Sequence, residues 1–230
     1  MPKTRAQLDR EIAEVLSRPS RLPRGARIQG AGRSTFASLF AGWIKKRHGA
    51  DLPQLSALLQ ELMTDAVENA NGKTTRDKLI KKVTLLLTEN LVHRYTNGPD
   101  FFTWLDDVME RVANDVAYRE TLGVNRAYLD SEDPFAVSVR YVGDSQAADT
   151  EVPRYLSYND LARGLEKLGG KATCDWRIRE IEGIGLGSEL HTVYECRATF
   201  PMKELPAKLF GQQAIEAAAE RALAAWESAS

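Results

Sequence analysis

Five arginines, Arg18, Arg21, Arg24, Arg27 and Arg33, fall between Ser17 and Arg33 with no acidic residue among them. Planar guanidinium groups bind phosphate oxygens through paired hydrogen bonds, so arginine at this density points to an anionic partner. Pro19, Pro23, Gly25, Gly30 and Gly32 break any helix over the same stretch. An extended arginine-rich arm can track a nucleic-acid backbone or enter a minor groove. The same composition also makes a solvated tether that folds over an acidic body. The arm contains no aromatic residue and therefore lacks a platform for stacking single-stranded bases. Lys45, Lys46 and Arg47 close the helix that follows. Cations there complement the negative helix pole, and they also extend the basic surface. These eight residues are the candidate nucleic-acid-binding set, acting by phosphate neutralisation without reading sequence.

Other chemistry is sparse. His48, His93 and His191 stand far apart, in no metal-ligand spacing. His93, on a long apolar helix, is expected in the core. No nucleophile elbow occurs. The Gly30-Ala31-Gly32-Arg33-Ser34-Thr35 turn lacks the lysine of a phosphate-binding loop, and Ser34 is expected simply to cap the next helix. Asp106, Asp107 and Glu110 read as a solvated helix face. No catalytic residue, metal site or cofactor is assigned. Cys174 and Cys196 are too few for a disulfide framework or a zinc site. They are expected to be reduced core thiols, lying opposite one another if Glu182 pairs with Ser188.

The near-neutral total charge of −1 conceals a segregation. Residues 1–50 hold 11 Lys/Arg against 3 Asp/Glu, a net of +8, and residues 51–230 carry −9. A basic beginning on an acidic body implies an anionic partner or docking of one part on the other. The hydrophobic and charged shares of 43% and 27% are those of a globular protein. No apolar run approaches the ~20 residues of a membrane span. Three acidic residues interrupt the first apolar positions, unlike a secretory segment. A cytoplasmic protein with no membrane partner is expected.

The elements that position these residues follow from periodicity. Thr4 to Leu16 is a short amphipathic helix whose narrow stripe must dock on something. Four long amphipathic helices follow, over 34–48, from Asp51 to Asn71-Gly72, over 75–95, and from Asp100 towards Gly123. The third, with Leu79, Ile80, Val83, Leu86, Leu87 and Leu91 inward, is expected at the centre. Residues 124–134 are polar and irregular. Phe135 to Val142 alternates as a strand, Ser157 opens a helix ended by Gly169-Gly170, and Lys171–Glu182 and Leu190–Phe200 form a hairpin. Pro206 to Ser228 is one alanine-rich helix.

The fold class is therefore α+β and mostly helical. A bundle or array of about four long helices precedes a small β-α-β-β-α domain, with both helices on one face of a three-stranded sheet. The expected domains are an N-terminal helix and arm over 1–33, a helical domain over 34–130 and an α+β domain over 131–230. The function expected is a non-enzymatic interaction protein that binds nucleic acid through its arm. The alternative is an assembly or scaffold subunit whose first helix and arm latch onto another protein or another copy. An enzyme is the third reading, and it requires His93 or His191 to meet carboxylates in a pocket.

Overall fold

A computed structural model describes residues 35–70, 74–113, 126–129, 133–146, 159, 161–182 and 188–229. The helix expected over Thr4–Leu16 and the arginine arm lie outside these residues. The described elements are α1 (Phe36–Arg47), a 3-10 turn (Gly49–Asp51), α2 (Leu52–Glu68), α3 (Arg76–Thr96), α4 (Pro99–Ala113), β1 (Arg126–Leu129) and β2 (Ala136–Gln146). They continue with helical residues 161–167, here α5, then β3 (Lys171–Glu182), β4 (Ser188–Pro201), α6 (Leu205–Phe210) and α7 (Gln212–Ala229).

The chain forms two compact units. One comprises Ser34–Trp104, Ser131–Val137 and Phe200–Ser230, and the other includes Leu105–Asp130 and Ser138–Thr199. In the first, α1 begins at Thr35, whose hydroxyl accepts from the Ser38 amide at 3.3 Å. The cap is thus Thr35, one residue beyond the expected Ser34. Phe36, Phe40 and Ile44 recur at intervals of four and are fully buried, as a helix with one apolar stripe requires. Phe36 stacks on Phe200 at 4.1 Å and meets Trp104 edge-on at 5.3 Å. Phe40 completes this aromatic core against Trp43 and Phe101.

Along α3, Leu79, Val83, Leu87 and Leu91 are at most 1% exposed, each burial stabilising the fold by about 1.5–3 kcal/mol. Thr88 and Thr96 share that face because their hydroxyls donate to the Thr84 and Val92 carbonyls at 2.7 and 2.8 Å, which satisfies each buried group within its own helix. Leu86, expected inward, is instead exposed. The stripe follows the 79-83-87-91 row, and Leu86 lies off it. α3 packs against α2, α6 and α7.

Three features of the expected α+β domain are corrected. The last helix belongs to the helical unit. It packs on α2 and α3 through Ile215, Ala218, Ala219 and Ala222, all buried. Alanines allow close approach of any neighbour, and their periodicity cannot distinguish a sheet from a helix pair. Polar contacts settle the choice: the Gln60 amide donates to the Ala218 carbonyl at 3.4 Å, Arg221 donates to Gln60 at 3.0 Å, and Arg76 pairs with Glu216 at 2.9 Å. The expected single helix is also broken in two. Gly211, at φ +86°, separates α6 from α7, a conformation open to glycine and strained for other residues.

Among the described residues the sheet has four strands rather than three, in the order β1-β2-β4-β3. The added strand, β1, lies within the stretch expected to be irregular. It runs antiparallel to β2, from Arg126 opposite Val142 to Leu129 opposite Val139. Four residues carry too little alternation to mark a strand, and pairing with β2 defines it. Between β2 and β4, the Met202 amide donates to the Phe135 carbonyl at 2.9 Å, and the Ser138 and Thr199 hydroxyls meet at 3.0 Å. One number rises as the other falls, so this pair is antiparallel. In the hairpin, Glu182 faces Ser188 and Cys174 faces Cys196, the register expected. Val137, Val139, Cys196 and Ala198 turn to the core. α5 ends as expected: Gly169, at φ 85°, leads into Gly170, whose amide donates to the Leu165 carbonyl at 3.3 Å.

Candidate functional site

The described part of the basic set sits at the C-terminal end of α1. Lys45, Lys46 and Arg47 are all exposed. Lys45 Nζ donates to the Lys208 carbonyl of α6 at 3.0 Å. Arg47 directs Nη2 and Nε to one oxygen of Asp100 at 3.2 and 3.3 Å. That pair is solvent-exposed, with side chains 62% and 54% accessible, so it contributes about 0–1 kcal/mol and exchanges readily for another anion. The helix brings the three cations together, while α6 and Asp100 of α4 engage two of them. Arg18, Arg21, Arg24, Arg27 and Arg33 lie outside the described residues.

Beside this helix end is a cluster that sequence spacing did not reveal. Asp51, at the expected start of the second long helix, occupies the N-cap position of α2 but makes no side-chain cap bond. Its carboxylate accepts from the Tyr95 hydroxyl at 3.1 Å. His48 Nδ1 lies 3.8 Å and Arg94 4.0 Å from the same oxygen. The His48 ring lies 5.1 Å from Trp43 and 4.8 Å from Tyr95, and Arg94 sits 5.7 Å above the Tyr95 ring. Burial, then the bond to Asp51, pushes the Tyr95 phenol up to about 12. A phenol held this firmly in its neutral form is a hydrogen-bond donor, not a base. The cluster therefore ties the end of α1 to α3. The signal for it was the 44-residue separation of Asp51 and Tyr95, which no local pattern spans.

The second surface is the side of the β3–β4 hairpin away from the core. Thr173, Asp175 and Arg177 of β3 stand opposite Arg197, Glu195 and Val193 of β4. Together with Trp176 they line a cavity of about 320 Å³. Two carboxylates directly opposite repel one another, and here both have donors. Arg197 Nε donates to Glu195, and Asp175 accepts from the Trp176 amide at 2.8 Å. The cleft thus alternates a guanidinium, a carboxylate pair and a second guanidinium, a pattern able to hold a polar ligand at several points. Alternation along the strands predicted an outward face, but the juxtaposition of rows required the register.

His93, expected in the core, is exposed, because Leu91, Val92 and Tyr95 carry the buried face of α3. Its Nδ1 lies 3.4 Å from the Asn97 amide. The His191 side chain lies outside the described residues. Among the described residues, Asp106 and Asp107 are exposed, no group of three His, Cys, Asp or Glu is gathered to hold a metal, and no helix is long and apolar enough to cross a membrane.

These features define an α+β protein, mostly helical, with one small antiparallel sheet. Compared with known protein families, curated proteins and solved structures, the chain matches none.

Proposed function

We propose that the chain is a non-enzymatic interaction protein whose basic N-terminal arm binds an anionic partner, nucleic acid before others, without sequence specificity. The observation that carries this reading is the charge segregation, +8 over residues 1–50 against −9 over residues 51–230. Arg18, Arg21, Arg24, Arg27 and Arg33 neutralise phosphates along the backbone. Lys46 and the exchangeable Arg47 continue that surface on α1, and Lys45 backs it from its bond to α6.

Fluorescence anisotropy of the full chain with mixed-sequence duplexes, titrated between 50 and 200 mM salt, tests it. Binding is expected to weaken steeply with salt and to depend little on sequence. Replacing the five arm arginines with alanine lowers the log–log salt slope by up to ~0.9 per lost phosphate contact on duplex DNA. Salt-insensitive binding, or none at 50 mM, rules the mechanism out.

A second reading has its own support. Glu61, Asp65 and Glu68 lie exposed along α2, an acidic stripe on which the arm of a second copy can dock. In that case the protein is an assembly subunit. Light scattering then gives a discrete oligomer that loses mass when residues 1–33 are deleted, whereas an unchanged mass excludes it.

A further inference from the structure

Cys174 and Cys196 are Cα partners across β3 and β4, and both are free thiols. Directly opposed strand residues hold their Cβ atoms about 4.5–5.5 Å apart, slightly beyond the ~3.5–4.5 Å of a relaxed disulfide. A small local approach of two strands closes that difference. The two thiols also differ in access. Cys196 is fully buried, while Cys174 is half-buried on β3, an edge strand of the sheet among the described residues. The bond to Cys174, burial and the nearby Glu166 carboxylate all raise the Cys196 thiol and keep it protonated.

We infer that Cys174 and Cys196 form a reversible peroxide-sensing pair, in which Cys174 is oxidised first and Cys196 resolves it into a cross-strand disulfide. The Cys174 thiolate attacks a hydroperoxide. An S–O bond forms, the O–O bond breaks, and the departing oxide takes up the thiol proton, leaving a sulfenic acid and, from hydrogen peroxide, water. The Cys196 sulfur then attacks the Cys174 sulfur, and the sulfenic oxygen leaves with the Cys196 proton as a second water. Two thiols lose two electrons and two protons, and one peroxide gains them. The opposed-strand geometry strains the product, which places it among labile, regulatory disulfides rather than structural ones. The bridge also has a structural readout. The rows Thr173–Arg197 and Asp175–Glu195 lie on either side of it and line the outer cleft, so drawing the strands together reshapes that cleft.

The test uses the full reduced chain, freed of reductant and treated with hydrogen peroxide. It is then denatured, alkylated with iodoacetamide and weighed intact. The expected product is monomeric on a non-reducing gel, two hydrogens lighter than the reduced chain and unalkylated. Glutathione returns it to the doubly alkylated form. Two alkylated cysteines, after a dose that oxidises free cysteine in the same tube, overturn the proposal. So does a Cys174 carrying two or three oxygens beside an alkylated Cys196. Wild-type chain alone decides whether the bridge forms, and two variants decide the order. With dimedone present, Cys196→Ser is expected to carry an adduct on Cys174, and Cys174→Ser none. An adduct on Cys196 in the latter overturns the assigned roles.

Discussion

Tyr95 shows how one side chain links distant parts of the helical unit. Its ring is buried, and its hydroxyl donates to Asp51 at 3.1 Å. Below about pH 10, the folded and unfolded chains both keep the phenol proton, and the bond contributes in full. Between 10.0 and about 12 only the folded chain keeps it, so stability falls as pH rises through that window. Tyr95→Phe removes the bond and leaves the ring. The expected loss at pH 7 is about 0.5–1.5 kcal/mol in urea unfolding, with less decline between pH 10 and 12 than the wild type. An unaltered alkaline decline in the variant would place its origin elsewhere. The residue types were readable from sequence: Asp51 stood at a helix start, and Tyr95 in an apolar helix. Their partnership was not, because a carboxylate before a helix has two competing uses. Here the buried phenol takes the oxygen that a helix amide would otherwise bond.

At the scale of elements, the turn at Gly211 decides how the chain ends. Its φ of +86° and ψ of 143° belong to a region that residues with a Cβ rarely enter, while a Cβ built there meets nothing within 4 Å. The penalty for Gly211→Ala is therefore backbone strain alone, about 1–3 kcal/mol. The expected outcome is a lower thermal midpoint with unchanged helical circular dichroism below the transition, and an unchanged midpoint would remove strain as the reason for glycine. The long helices were legible because each repeats its apolar residues over several turns, as α3 does over about three from Leu79 to Leu91. β1 and the α6–α7 break were not. A four-residue strand has no period of its own, and one glycine in an alanine-rich run is tolerated inside a helix as readily as it breaks one.

At the scale of the molecule, the placement of α7 is the main departure from a reading in chain order. Residues 200–230 return to the helices of residues 34–104, and Arg76 joins them by pairing with both Glu216 and Glu220, at 2.9 and 3.4 Å. Truncation after Phe210 uncovers the faces of α2 and α3 that α7 covers. The expected result is loss of the cooperative thermal transition and gain of binding to a hydrophobic dye. Retention of the wild-type transition would show that the helices are self-sufficient. Gln212 and Arg76 hold the Glu216 carboxyl below its ordinary range, so its share of this docking is present at neutral pH and lost as pH falls through that lowered value.

Sequence alone determined the α+β class, the amphipathic helices, the two strands of the hairpin, and the separation of charge along the chain. Each depends on residue type at short spacing, where backbone geometry converts period directly into a face. The tertiary structure decided what met those faces. It set α7 on the helices α2 and α3, added β1, exposed His93 and Leu86, and engaged Lys45 and Arg47. These outcomes depend on contacts between residues tens to more than a hundred positions apart, and a local pattern specifies that a surface must be covered without specifying by what.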